Sequence, residues 1–171
     1  MRNIEIKASA NEKQHARVRD WMRASGAEYR GTDKQTDTYF NVGTGRLKLR
    51  EGNIENCLIQ YNRPDHAAPK QSNYTLVPVE AGSALKTALE KSLGVLAVVE
   101  KVRDIFYVAN IKIHLDSVVG LGLFIEIEAR DEEESIPLET LHEQCKRLSS
   151  HFGILDGDLI TNSYSDMLLS K

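Results

Sequence analysis

The chain is poor in several things that would have settled its class at once. It has two cysteines, four prolines and one tryptophan in 171 residues. Two thiols, Cys57 and Cys145, far apart in sequence, cannot build a disulfide scaffold and read as buried or incidental groups of a reducing compartment. No run approaches the roughly 18 apolar residues of a membrane-spanning helix, and the opening "MRNIEIKASA" lacks the apolar stretch of a signal peptide. A cytoplasmic protein without membrane attachment is the expectation. Basic residues are not in excess either: 22 Lys and Arg stand against 25 Asp and Glu, a net charge of −3. An acidic average disfavours general attraction to nucleic acid or lipid, although a local basic cluster can still recognise a small anion. There is no G-x-x-x-x-G-K-[ST] phosphate loop, no arguable Ser–His–Asp or reactive-cysteine arrangement, no repeat and no low-complexity tract. What remains, 41% hydrophobic and 27% charged, is the composition of one globular domain, 1–171, able to bury about two-thirds of its unfolded surface.

Periodicity supplies the outline. Residues 2–9 alternate as a strand does. "NEKQHARVRDWMRAS" (11–25) reads as a helix capped by Asn11, with Val18, Trp21 and Met22 on one face and Gly26 closing it. Short strand patterns follow at 35–42, 46–51, 55–63 and 73–79, the first two joined by "GTG" and the next two by "GN", as hairpins are. A helix over 82–95, capped by Ser83 and ended by Gly94, leads to long strands at 96–109, 111–117 and 122–130. A helix at 135–151 and a helical tail at 158–169 end the chain. Many strands with tight turns and a few helices outside them predict an α+β protein built on an antiparallel sheet.

The polar faces of these strands are unusual. Residues i and i+2 of a strand point the same way. By that rule Glu5 and Lys7 share a face against Ile4 and Ile6. Arg46, Lys48 and Arg50 do so against Leu47 and Leu49. Lys101 pairs with Arg103, while Lys112, His114 and Asp116 stand against Ile111, Ile113 and Leu115. Glu126 and Glu128 stand against Ile125 and Ile127. Tyr61 and Arg63 can continue the pattern. Any one strand is accounted for by a water-facing sheet, but here the signs separate by strand, and like charges two apart repel unless something of opposite charge lies between them. Several converging carboxylates suit a hard divalent cation such as Mg²⁺ or Mn²⁺. Several cations facing them suit a multiply charged phosphate, which arginine grips with two donors. Together they predict a metal–polyphosphate site, held in a tunnel if the strands close into a barrel. "FIEIEA" (124–129) and "NIEIKA" (3–8) are expected on opposing walls of it.

The motifs "RNIEIKA", "DTYFNVGTGRLKLRE", "LIQYNRPD", "VVEKVRDIFYV", "IKIHLDSVVGLGLFIEIEA" and "SYSDMLL" carry a resemblance over about residues 2–168. The chain resembles the CYTH domain proteins of the triphosphate tunnel metalloenzyme superfamily, which groups class IV (CyaB-like) adenylyl cyclases with thiamine triphosphatases and tripolyphosphatases. The Asp-Thr-Tyr-Phe-Asn-Val and Ile-His-Leu-Asp stretches make it most similar to the CyaB-like branch. That resemblance implies an eight-stranded antiparallel β-barrel with helices outside, Mg²⁺ or Mn²⁺ as cofactor, a small-molecule triphosphate as substrate, no nucleic-acid partner, and a monomer or homodimer. It implies Glu5, Asp116, Glu126 and Glu128 as metal ligands, and Lys7, Lys48, Arg50, Arg63, Lys101 and Arg103 on the triphosphate, with Lys7, Lys101 and Arg103 nearest the chemistry. The family signature Glu-x-Glu-x-Lys falls on Asn3, Glu5 and Lys7, so the first carboxylate is replaced by an amide.

Three activities remain open at this stage: cyclisation of ATP with loss of pyrophosphate, hydrolysis of a triphosphate, and non-catalytic binding of a nucleotide or polyphosphate. Outside the tunnel, His15, His66, His142 and His151 show no ligand spacing and read as surface or helix positions. Trp21 and Met22 read as helix packing, and "RDEEES" (130–135) as a solvated loop. His114 faces the predicted tunnel without an assigned role.

Overall fold

The computed structural model describes residues 2–62 and 70–171. Eight strands run in chain order as β1 (Arg2–Ala10), β2 (Glu28–Phe40), β3 (Arg46–Glu51), β4 (Cys57–Asn62), β5 (Lys70–Pro78), β6 (Val95–Val108), β7 (Ile111–Val118) and β8 (Gly122–Asp131). Every neighbouring pair is antiparallel, and the order β1-β5-β4-β3-β2-β6-β7-β8 returns to β1, closing a barrel. Four helices accompany it: α1 (Glu12–Ala24), α2 (Leu85–Leu93), α3 (Leu138–Phe152) and α4 (Tyr164–Leu169).

Alternation in the strands decides what lies inside. The outward residues of β1, β7 and β8 are Ile, Leu and Ala, and they are buried under α1 and α3. α3 meets them with Leu141, Cys145, Leu148 and Phe152, spaced four, three and four apart on one helical face. α1 adds Val18 and Met22, both fully buried, with Trp21 packed at the edge. Each such side chain contributes about 1.5–3 kcal/mol by leaving water, so this layer holds three strands rigidly and frees their other faces for charge. Asn11 caps α1 by accepting the Gln14 N–H while the Gln14 side chain accepts the Asn11 N–H. Gly153 ends α3 in the left-handed conformation. A smaller cluster, Tyr39, Val99, Val118, Phe124 and Tyr164, fills one end of the bore under α4.

The helix 82–95 is shorter than expected. It starts after Ala84, and no side chain caps it; Ser83 instead sits in the preceding turn, its N–H donated to Glu80. β2 begins seven residues earlier than the strand predicted at 35–42, because its polar start pairs along β6 as far as Glu28 opposite Tyr107. His15 takes the helix position, on the buried face of α1, and its Nε2 donates to the Phe124 carbonyl at 2.8 Å. Asp131, within the loop read as solvated, is also buried: it accepts the N–H groups of Ser135 and Ile136 and a bond from Arg2. Arg63 and His66 lie outside the described residues.

Candidate functional site

The inward faces of the strands enclose a cavity of about 880 Å³, including the part open to solvent. Glu5, Lys7, Lys48, Arg50, Lys101, Arg103, Glu126 and Glu128 all line it, together with Asn3, Lys112 and His114. Asp116 stands fully buried behind Arg103. Arg46, on the same face of β3, instead turns to Asp166 of α4 at 2.7 Å. The expectation of opposing walls is corrected: β1 and β8 are adjacent, with Glu5 opposite Glu128 and Lys7 opposite Glu126. They meet because the last strand closes the barrel on the first, a pairing no local pattern encodes.

The basic side chains converge on one carboxylate that the sequence reading passed over. Asp37 of β2 accepts Arg50 Nε at 2.8 Å, Arg50 Nη2 at 2.9 Å, Lys48 Nζ at 3.0 Å and Lys101 Nζ at 2.8 Å. Burial works to raise the pKa of Asp37, but the charges of Arg50, Lys101 and Lys48 outweigh it and hold the carboxylate well below its usual range. Of the three cations Arg50 is also met by Glu55, at 3.0 Å, so positive charge still exceeds negative around Asp37. Lys101 is the least compensated: burial lowers its pKa, Asp37 opposes, and Arg50, Arg103 and Lys48 push it down further, to about 7. A surplus of positive charge in a buried place suits an anion.

A second cluster centres on Arg103. It donates to Asp116 at 2.6 and 2.5 Å and to Glu126 at 2.7 Å. Lys7 Nζ lies 3.2 Å from the other Glu126 oxygen and 4.1 Å above the Tyr164 ring. Tyr164 donates its hydroxyl to Asp116 at 2.7 Å, so α4 closes this end of the bore and touches the charged network. His114 Nδ1 lies 3.1 Å from Glu126 Oε2. The carboxylate can only accept, which puts the proton on Nδ1 and leaves Nε2 a buried acceptor without a partner. Burial, with Arg103 adding to it, pulls His114 down to about 3, so the ring is neutral.

A second acid, carried by a loop, was also missed. Glu55 follows β3, and its backbone N–H and that of Ile54 donate to the buried Asp33 carboxylate. This hold aims Glu55 across the bore, where it takes Arg50 of β3 at 3.0 Å and Lys112 of β7 at 2.5 Å. Burial would raise its pKa, but Arg50 and Lys112 more than reverse that.

Among the described residues no three His, Cys, Asp or Glu side chains already converge as a metal cluster. At the β1–β8 junction, however, Asn3 donates its amide nitrogen to Glu128 at 2.5 Å, and its oxygen is left buried and unpartnered. Glu128 is pushed up by burial and by the charge of Glu5, against the pull of Lys112. An orphaned amide oxygen beside two mutually repelling carboxylates is an oxygen-donor set of the kind a hard divalent cation takes. The residues fit such an ion.

No curated protein is a sequence match to the chain. Solved structures share its fold at low identity. The PH1012 protein of Pyrococcus horikoshii is 20% identical with a TM-score of 0.80, covering 96% of this chain and 98% of its own. The PH1819 protein of the same organism is 23% identical with a TM-score of 0.74, covering 98% of both chains. A Vibrio parahaemolyticus protein, provisionally named an adenylate cyclase, is 19% identical with a TM-score of 0.75, covering 98% and 97%. The CYTH domain family model matches residues 1–164, and with the closed barrel and its charged bore the chain belongs to the CYTH domain family.

Proposed function

We propose that the chain is a divalent-metal-dependent enzyme that binds a triphosphate inside the barrel, and that its reaction is the class IV adenylyl cyclase reaction: ATP to cyclic AMP and pyrophosphate. The observation that carries the triphosphate reading is the surplus of buried cations around Asp37, with Lys48, Arg50 and Lys101 all sharing one carboxylate. The branch motifs "DTYFNV" and "IHLD" favour the cyclase over hydrolysis.

In this reading Lys48, Arg50 and Lys101 bind phosphate oxygens, and Arg103 and Lys7 approach from the neighbouring strands. Arg103, already presenting two donors, grips phosphate bidentately. Freed of that partner, Asp116 and Glu126 would join Glu5, Glu128 and the Asn3 amide oxygen in holding the metal. When bound, Mg²⁺ or Mn²⁺ neutralises phosphate charge and helps align the displacement. Lys101, neutral or charged near pH 7, can take a proton as negative charge arrives. The ribose 3′-hydroxyl attacks the α-phosphorus and gives up its proton to solvent, the bond from that phosphorus to the bridging oxygen breaks, and pyrophosphate leaves.

The deciding experiment incubates the protein with ATP, and separately with tripolyphosphate, in Mg²⁺ or Mn²⁺, and follows products by phosphorus NMR. Cyclic AMP with pyrophosphate supports the proposal. Orthophosphate release, strongest from tripolyphosphate, would replace it with a triphosphatase. Tight metal-dependent binding without turnover would leave a binding protein.

A further inference from the structure

The last stretch of chain is fastened to the barrel from several sides. It joins the β1 edge through Ala8 paired with Leu159, the Ile160 N–H donated to the Lys7 carbonyl at 2.8 Å, and the Ser9 hydroxyl donated to the Asp158 carbonyl. Ser163 caps α4 in a reciprocal box with Asp166, and Asp166 also takes Arg46 of β3 at 2.7 Å. Met167 and Leu168 pack against the cluster that holds Val99 and Val118. Together these ties fix one buried aromatic side chain, Tyr164, over the end of the bore.

The ring and the hydroxyl of Tyr164 have different partners. The ring lies 4.1 Å from Lys7 Nζ and packs on Phe124 with ring centres 4.9 Å apart, contacts that phenylalanine would keep. The hydroxyl donates to Asp116 Oδ2 at 2.7 Å. Asp116 is fully buried, and among the described residues the side chains that donate to it are Arg103 and Tyr164. Arg103 Nη2 and the Tyr164 hydroxyl share the same oxygen. Removing the cation from a buried ion pair leaves an uncompensated charge at high cost. When Arg103 turns to phosphate, that cost falls on Asp116, and Tyr164 is the donor that stays. Its bond to the carboxylate strengthens once Arg103 no longer competes for Oδ2.

We propose that Tyr164 is a positioning residue: its hydroxyl holds Asp116 when Arg103 turns from that carboxylate to phosphate, and so sets how readily Arg103 is released. The inference rests on the triphosphate reading of the bore and deepens it at Arg103.

The test uses the full chain, wild type and Tyr164→Phe, in calorimetric titrations with inorganic tripolyphosphate. Each is run at the lowest Mg²⁺ that supports wild-type binding and again at saturating Mg²⁺. At low Mg²⁺ the variant is expected to bind about tenfold more weakly, because a hydrogen bond to a charged group is lost. At saturating Mg²⁺ it is expected within about twofold of wild type, since a cation then stands beside Asp116 in place of the hydroxyl. A merely structural tether would weaken binding equally in both conditions. Equal weakening, or none at low Mg²⁺, overturns the positioning role and leaves the triphosphate site standing. The Asp116→Asn background supplies a second reading. There, adding Tyr164→Phe should change low-Mg²⁺ affinity by less than about twofold, and a further tenfold loss overturns the proposal. If tripolyphosphate fails to bind the wild-type protein at any Mg²⁺, the triphosphate reading falls and takes this inference with it.

Discussion

The Asp37→Asn substitution separates an anion site from a merely charged interior. Asp37 is 1% exposed in its side chain and accepts four charge-assisted bonds from Arg50, Lys48 and Lys101. Asparagine keeps the shape and one acceptor oxygen, but it removes the negative charge and turns an N–H₂ toward cationic donors. Breaking a buried ion pair from one side costs about 3–5 kcal/mol. At about 2–4 °C per kcal/mol for a chain of this size, Tm should fall by about 10 °C in anion-free, low-salt buffer. That is a large share of the about 5–15 kcal/mol by which proteins are stable. Scanning calorimetry reads it directly. The same variant should regain stability more steeply than wild type when tripolyphosphate is added, because the ligand supplies the missing charge. At 100 times Kd a ligand adds about 2.7 kcal/mol, enough to see in the same scan. A variant that melts within 2–3 °C of wild type, or that gains no more from tripolyphosphate than wild type does, would refute the view that Asp37 balances a phosphate-binding surplus.

Other consequences follow from the same contacts. Glu126→Gln removes the charge shared by Lys7, Arg103 and His114 and should lower turnover at least about a hundredfold in a protein that still melts cooperatively; full activity would remove Glu126 from the metal set. Lys101, held at about 7 without ligand, is mostly neutral at pH 8 and should be charged against phosphate. Tripolyphosphate binding at pH 8 should then take up about 0.9 proton, and affinity should fall as pH rises above about 7. Calorimetry in buffers of different ionisation heat measures this, and uptake near zero would contradict it. Glu55→Gln frees Arg50 and Lys112 and should tighten metal-free tripolyphosphate binding about tenfold; weaker binding would mean that Glu55 orders the site instead of competing for it.

Much of the site was legible because strand alternation is a local rule. Glu5, Lys7, Lys48, Arg50, Lys101, Arg103, Glu126 and Glu128 were placed on inward faces from i, i+2 spacing, and all line the cavity. The residues that were missed share a different property. Asp37 sits in "QTDTYF", where a lone acid between threonines looks like solvent-facing strand, and its meaning appears only when β2 lies between β3 and β6. Glu55 belongs to a turn, and only the Asp33 carboxylate beneath it makes that turn point inward. Tyr164 falls in the helical tail read at 158–169, and nothing local shows that α4 carries it over Lys7. The start of β2, "EYRGTDK", has no apolar alternation, since its stability comes from pairing along β6. Gly31 there has φ +125 and a Cβ position 2.9 Å from Ile54, which marks the bulge between Tyr29 and Gly31. Local pattern gave faces; partners across the barrel gave roles.

Charge balance in the bore links these parts. Seven basic side chains line the cavity, yet four carboxylates line it with them, and Asp37 and Asp116 stand directly behind. The site is thus close to neutral before anything enters, with Glu55 and Asp37 acting as resident anions on the bases that a phosphate needs. A triphosphate brings several negative charges into this space. It can displace Glu55 from Arg50 and Lys112 and draw a proton onto Lys101, but those gains do not cover its whole charge. On the proposed reading the remainder would arrive as cations, held by the carboxylates that crowd β1 and β8. Metal and triphosphate should therefore bind with strong mutual dependence: each raises the affinity of the other by the same factor. Titrating tripolyphosphate at increasing Mg²⁺, and Mn²⁺ at increasing tripolyphosphate, must yield one common factor, and a phosphate affinity that ignores metal concentration would break the link between the two halves of the tunnel.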